Sequence, residues 1–407
     1  AGSADAANKR VTADTVKTFF NAEGRDIRRA EAIGDAELFV EPLQAGAEYY
    51  KTNVTAPRFD CEFFPTGNNA RLCTAATKAK AVRSPTVASA DRGVQALTSD
   101  KMNVVFNQQT KDVERMDALG SAKFVELDRN AIADQISFTN NDQFVRLRGG
   151  EPTVWDLRAR SKANEIDWDT RGKKSDFRGG VSTTYYNQKQ TGGATPFADG
   201  DKPVFITAER AVFDHVAENA QYFGNARGWQ ENNYVLGDRF SIEQPQGRFL
   251  AEGRVRSLLY NATRRENGRD SAVPVYATAQ RMNYNRDSRT IRYESDVDIR
   301  QGTDRIVAGI ANVYLDDKGE LSRTDVENNV VITQPKRKAS GDYAQYITAS
   351  ESIVLRGNPA RVEDAENGSS QGGVLTVYLK DNRVMGEGKS KQNPSGRTRS
   401  VYKIRNN

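Results

Sequence analysis

The sequence predicts an all-β chain of antiparallel strands stacked in two facing sheets, and three observations carry that prediction. Apolar and polar residues alternate with period two almost throughout, small residues recur inside those alternating runs at a fixed spacing, and helical spacing is nearly absent.

The alternation is clearest where Ile291, Tyr293, Ser295, Val297 and Ile299 interleave with Arg292, Glu294, Asp296 and Asp298. Successive strand residues point to opposite faces, so such a run has one buried and one wet face. Phe249, Ala251, Gly253, Val255 and Ser257 repeat it, with Arg254 and Arg256 on the other face. The only helical-looking stretch, Val113-Glu114-Arg115-Met116, predicts a short helical turn.

The small residues form a ladder. Ala133 to Gly149, Ala163 to Gly179, Ala208 to Gly224, Gly237 to Gly253 and Ala279 to Ser295 are each 16 residues apart, and Ala308 follows Ser295 by 13. Around the first member of each pair the text reads apolar-x-small-x-x-apolar-x-apolar, as in Ile206-Ala208-Ala211-Phe213 and Val235-Gly237-Phe240-Ile242. The step of two becomes a step of three beside the small residue, which marks a bulge where the chain leaves one sheet for the other. These residues are therefore expected at corners, where a larger side chain would fill the angle between the sheets. Each 16-residue interval then holds two arms and a hairpin, with a tip such as His215-Val216-Ala217-Glu218. Longer steps predict loops inserted at 187–193 and 264–270. Residues 1–94 read as divergent β repeats in which 45–90 fit the ladder poorly, 95–395 as continuous repeats, and 396–407 as a polar tail.

Composition agrees with a thin-cored repeat body. With 407 residues the chain exceeds the size at which single cores stop growing, about 250 to 300 residues, a limit repeat proteins escape because each unit contacts only its neighbours. It is 28% charged and 37% hydrophobic, with a mean hydropathy of -0.71. No apolar run reaches the roughly 18 residues of a membrane-spanning helix. The net charge of +5 is spread among both signs, without the basic cluster and interleaved aromatics of a nucleic-acid site, so no nucleic-acid partner is expected.

Candidate chemistry is sparse, and neither catalysis nor a cofactor or metal is expected. Cys61 and Cys73 flank the turn-like Pro65-Thr66-Gly67-Asn68-Asn69, a spacing that fits a disulfide pinning a hairpin in an oxidising compartment; two unpaired thiols are the other reading. His215 sits in a polar tip with no nucleophile nearby in sequence. Gly386-Glu387-Gly388-Lys389-Ser390 mimics the end of a phosphate loop, but Arg383 stands where that loop needs glycine. Asp296 and Asp298 read as solvated charges on an outer face beside Arg292. The residues that would carry function are the inward ones: Ile136, Phe138, Leu147, Ile166, Trp168, Phe177, Val181, Phe213, Tyr222, Phe240, Ile242, Val255, Met282, Tyr284, Ile291, Tyr293, Val297 and Ile299. Each could equally be sandwich core.

Several segments resemble the OstA-like repeats of the lipopolysaccharide-transport proteins LptA, LptC and the periplasmic part of LptD. They are Ile206-Thr207-Ala208-Glu209-Arg210-Ala211-Val212-Phe213, Glu151-Pro152-Thr153-Val154-Trp155-Asp156, Leu355-Arg356-Gly357-Asn358-Pro359-Ala360-Arg361-Val362 and Leu379-Lys380-Asp381-Asn382-Arg383-Val384-Met385-Gly386-Glu387-Gly388. The resemblance implies an open, V-shaped β-jellyroll in the periplasm whose apolar groove shields the acyl chains of lipopolysaccharide or a similar lipid. It also implies end-to-end strand addition with LptC-like and LptD-like partners, bridging inner and outer membranes. The many repeats suggest a fusion or a long single-chain bridge. A ligand-free structural or adhesive β-solenoid is the alternative.

From the cysteine spacing, unreduced protein should show no free thiol by alkylation mass spectrometry. Full labelling of both cysteines without denaturant would reject the bond.

Overall fold

The computed structural model describes residues 7–402 apart from 47, 91, 187–193, 198–199, 260–262, 267–268, 317–318, 320, 381–382 and 389–395; for 263–266 and 269–272 it describes the strands alone. The described residues contain strands and turns and no helix, and none of them forms a helix long and apolar enough to cross a membrane. The chain divides into two compact units, Ala1–Thr184 with Arg210–Val216, and Tyr185–Glu209 with Ala217–Asn407.

The strands in chain order begin with β1 (Ala7–Thr12), β2 (Thr15–Phe20), β3 (Ile27–Pro42), β4 (Tyr50–Phe63), β5 (Ala70–Pro85), β6 (Gln95–Phe106), β7 (Val113–Glu126) and β8 (Arg129–Thr139). Next come β9 (Phe144–Arg148), β10 (Thr153–Trp155), β11 (Ala159–Lys162), β12 (Glu165–Asp169), β13 (Lys174–Tyr185) and β14 (Val204–Asp214). They continue through β15 (Asn219–Gln230), β16 (Asn233–Glu243), β17 (Arg248–Leu259), β18 (Thr263–Glu266), β19 (Arg269–Ala272), β20 (Val275–Asn285) and β21 (Thr290–Gln301). The last are β22 (Asp304–Leu315), β23 (Leu321–Gln334), β24 (Arg337–Ile347), β25 (Ser352–Asp364), β26 (Gly368–Tyr378), β27 (Arg383–Glu387) and β28 (Arg399–Tyr402).

In the first unit β3 pairs with β1 on one arm and β2 on the other, and β3 to β8 then pair in succession, all antiparallel. Beyond β8 the arms are separate strands: β9 and β12 carry one, β10 and β11 the other. In the second unit β15, β16, β17 and β20 to β26 pair in succession, and β26 ends against β27 on one arm and β28 on the other. Both units are β-jellyrolls of bent antiparallel strands.

The bend has one recurring construction. Two successive residues take positive φ at Gly34-Asp35, Thr77-Lys78, Gly120-Ser121, Gly179-Gly180, Gly224-Asn225, Gly253-Arg254, Ser295-Asp296 and Asn328-Asn329. Opposite them the neighbouring strand skips one residue, as where Phe223 pairs Arg239 and Ala226 pairs Gly237. Two residues facing one is a bulge, which bends the strand and sharpens its twist. The inward residues before and after it, such as Ala118 and Ala122 or Tyr222 and Ala226, are four apart and all buried. The left-handed region admits Gly freely and Asn or Asp at modest cost, which explains most of these positions though only half of the pairs.

This corrects the expected reason for the small residues. Ala133, Ala163, Ala208, Gly237, Ala279 and Ala308 are buried inside the bend, as small inward residues. Gly149, Gly179, Gly224, Gly253 and Ser295 are small because of backbone conformation, and Ser295 itself is exposed. A side chain from the adjacent strand also lies over each of these glycines: a Cβ at Gly224 would sit 2.5 Å from the Glu209 carboxylate, and one at Gly253 would sit 2.3 Å from that of Asp238.

Three further expectations change. Val113 to Met116 belong to β7, where alternation outweighs the local helical spacing. Residues 45–90 contain β4 and β5 with corners of their own, the second built on Thr77-Lys78 without glycine. Within the expected tail, β28 pairs Arg399–Tyr402 with Gly368–Gln371 of β26. Of the inserted loops, 187–193 lies outside the described residues, and 264–270 falls in the β18–β19 hairpin. Cys61 and Cys73 face each other in the β4–β5 pair and are joined by a disulfide.

Replacing Gly224 by Ala should cost roughly 1–2 kcal/mol, the penalty of a left-handed L-residue, read as a lower urea midpoint. An unchanged midpoint would show that the bulge accepts a Cβ and that the construction is misread.

Candidate functional site

The inward residues of neighbouring strands fall into lateral rows, because side-chain parity repeats every two residues and the register is unbroken within an arm. In the first unit one row runs Cys61, Cys73, Val104, Met116, Phe138, Val145, Trp168, one residue per strand. On the other arm Leu38, Val54, Ala81, Leu97, Phe124, Ala131 and Val154 form its counterpart. Apart from buried Leu97, every member of both rows is half-buried, an apolar track that the protein itself does not cover.

The row next to the corners is buried in both units, from Phe59, Ala75, Met102 and Ala118 in the first and from Tyr222, Phe240, Ala251, Met282 and Tyr293 in the second. The second unit differs one row farther out, where Ala220, Ile242, Phe249 and Ile291 are buried as well, with Tyr284 and Val313 half-buried. Side chains of the second unit meet across the interior. Ser257, after the corner of β17, and Tyr293, before the corner of β21, approach to 2.8 Å between hydroxyls. The two arms of these strands therefore face each other.

Of the inward residues expected from sequence, Ile136, Leu147, Ile166, Phe177, Val181, Tyr222, Phe240, Ile242, Val255, Met282, Ile291, Tyr293, Val297 and Ile299 are buried. Phe138, Trp168, Phe213 and Tyr284 are half-buried. Phe177 and Phe213 pack edge to face at 5.0 Å, and Phe240 and Phe249 at the same distance with tilted rings. Sequence reasoning missed the track on β3 to β7. On β3, β5 and β7 its corner-proximal residues are alanines, Ala32, Ala36, Ala75, Ala79, Ala118 and Ala122, which do not stand out as apolar alternation. The detectable signal there is the inward pair four residues apart around the bulge.

Outward, many of the charges are paired. Asp298 binds Arg300 and Arg305 rather than Arg292, while Asp296 sits in the corner itself with Gln280 as partner. His215 Nε2 lies 2.7 Å from Ser175 Oγ. The adjacent Asp214 accepts from the Val216 amide and pairs with Lys174, so its carboxylate is engaged by groups other than the imidazole. Among the described residues no group of His, Cys, Asp and Glu could hold a metal. The densest ion network joins Asp167 to Arg148 and Arg178, which also reaches Glu165 and Asp176. Burial opposes the charge on Asp167, but hydrogen bonds from Arg178 and Arg148 outweigh it and hold the carboxyl below its usual range.

The described residues thus form an all-β body with an inward apolar track and wet outer faces. Residues 86–174 and 276–383 match the family model described as LptA/(LptD N-terminal domain) LPS transport protein, so these two segments are OstA-like. No curated protein matches it. Among solved structures it is similar to LptH of Pseudomonas aeruginosa, described as the LptA homologous periplasmic component of the conserved lipopolysaccharide transport device. The identity is 18%, over 33% of this chain and 96% of that one, with a TM-score of 0.29.

Asp167→Asn should lower stability by roughly 1–3 kcal/mol at neutral pH, the scale of hydrogen bonds to charged groups. A carboxyl whose folded pKa is depressed contributes stability above its unfolded pKa, about 3.9, and loses that contribution as pH falls through the folded value. The gap between variant and parent should therefore narrow as pH falls below about 3.9 in urea titrations. A gap independent of pH would mean that the network contributes by packing alone.

Proposed function

We propose that this protein is a periplasmic carrier of lipopolysaccharide or a closely similar lipid, and that it shields acyl chains without turnover chemistry. The half-buried track of the first unit carries this reading: apolar side chains in register across successive strands, left open to solvent. Burying methylenes there contributes about 0.8 kcal/mol each, and a row that repeats from strand to strand gives a sliding chain no deep trap. Phosphorylated head groups stay in water beside outer faces that carry both signs of charge. The match of residues 86–174 and 276–383 to the lipopolysaccharide-transport family model supports the ligand class, and the Cys61–Cys73 bond suits an oxidising compartment.

The terminal strands support end-to-end assembly with LptC-like and LptD-like partners. Among the described residues β1 and β2 pair only with β3, and Val11 and Val16 extend its inner rows while half exposed. At the other end β27 and β28 pair only with β26, and Val401 and Tyr402 are exposed. Unpaired edges are templates for strand addition. The sealed interior of the second unit favours the other reading, a ligand-free β-solenoid.

Photocrosslinking with purified lipopolysaccharide separates the two. A benzoylphenylalanine at Met116 or Phe138 should give a lipid adduct, and one at the outward Arg115 or Gln135 should not. Equal labelling of inward and outward positions, or none at either, rejects the carrier.

A further inference from the structure

From the stretch between the two segments that match the family into the start of the second, the second unit carries features of its own. Tyr185, at the end of β13, and Tyr222, before the corner of β15, lie on opposite arms, with their hydroxyl oxygens 2.8 Å apart. Further along, Ser257 and Tyr293 make the second such contact. Burial pushes the Tyr185 and Tyr293 phenols up to about 12, so both are neutral hydroxyls near pH 7.

Between these two contacts the interior is filled from arm to arm. Gly228, inward on the second arm of β15, is the only place on that strand's inner face without a side chain between Ala226 and Gln230. The space is taken from three directions: a Cβ at Gly228 would lie 3.4 Å from Phe240 Cε2, and 3.8 Å from both Ile206 Cγ1 and Phe197 Cε2. Phe240 reaches it from the opposite arm. Phe197 comes from the long connection between β13 and β14, where Ala194, Thr195, Pro196 and Phe197 are all buried. Where that connection returns to β14, the buried Gln230 side chain donates to the Lys202 carbonyl at 3.0 Å, tying it to the end of the second arm. An acyl chain has no room where paired hydroxyls and aromatic rings already touch.

We propose that Tyr185–Tyr222 and Ser257–Tyr293 are the two latches of a gate in the second unit, with Phe240 as its bar and Phe197 as its plug, and that the gate must open for an acyl chain to pass. This rests on the carrier reading and adds a regulated step to it. Hydroxyl pairs suit a latch. When both hydroxyls are inside and bonded to each other the slot is sealed at no unsatisfied polar cost, and parting the arms returns both groups to water. A purely apolar seal of the same shape would lack that directional contact.

The test uses the full chain, purified lipopolysaccharide, and benzoylphenylalanine at Met282, buried inside the gate, or at Phe138 in the open track. Tyr185→Phe/Tyr222→Phe and Ser257→Ala/Tyr293→Phe each remove both partners of a latch, so neither leaves an orphaned buried hydroxyl. Each should raise the Met282 adduct about fivefold over the parent while the Phe138 adduct stays constant, the factor expected from one net hydrogen bond. Phe197→Ala, a change in a connection rather than in a strand, should act in the same direction and guards against failure of the paired variants to fold. An unchanged Met282 adduct in all three, with Phe138 still labelled, overturns the gate and leaves the carrier standing. Loss of the Phe138 adduct in every protein, parent included, overturns both.

Discussion

A pair of left-handed residues facing a single residue on the next strand is the constraint from which the rest of this structure follows. Each bulge turns a strand through a corner without breaking its pairing, so one strand serves both arms and the inward residues on either side of it enter a common interior. Because the bulge recurs in β3, β5, β7, β13, β15, β17, β21 and β23, the corners align and the rows of inward residues run straight across the strands. Lateral continuity of the apolar track is thus a consequence of backbone conformation repeated in register. The side chains laid over the corners, such as Asp100 over Gly120 and Asp238 over Gly253, leave no room for a Cβ there.

The two units use this frame differently. In the first, alanines near the corner and half-buried residues farther out leave a slot that solvent reaches. In the second, Tyr222, Phe240 and Tyr293 occupy the positions held in the first by residues such as Ala75, Met102 and Ala118, and they fill the space to the opposite arm. The same backbone plan therefore yields an open track or a sealed core according to how far the side chains of the two arms reach toward each other. Transport through a sealed stretch requires movement, which is why the hydroxyl pairs that span it matter more than the apolar residues around them.

Much of this was legible in the sequence. Alternation marked the strands, since parity is a local property of two consecutive residues, and glycine marked most corners, since only it takes positive φ freely. Where other residues carry the bulge, as at Thr77-Lys78 in β5, the composition signal vanished and the stretch looked irregular although its fold is not. The alanine-lined part of the track was invisible for a related reason: alanine is small enough to be neutral in any alternation count. Val113 to Met116 misled because four residues are too few to distinguish helical from strand spacing.

The sequence by itself determined the class of fold and the inward set from Ile136 to Ile299, because both rest on patterns within single strands. Whether the interior is open or shut was decided only by tertiary structure. Tyr185 meets Tyr222, and Ser257 meets Tyr293, across gaps of 37 and 36 residues and between opposite arms. Such meetings depend on how bent strands stack and how far each side chain reaches, quantities that no periodicity in the chain encodes.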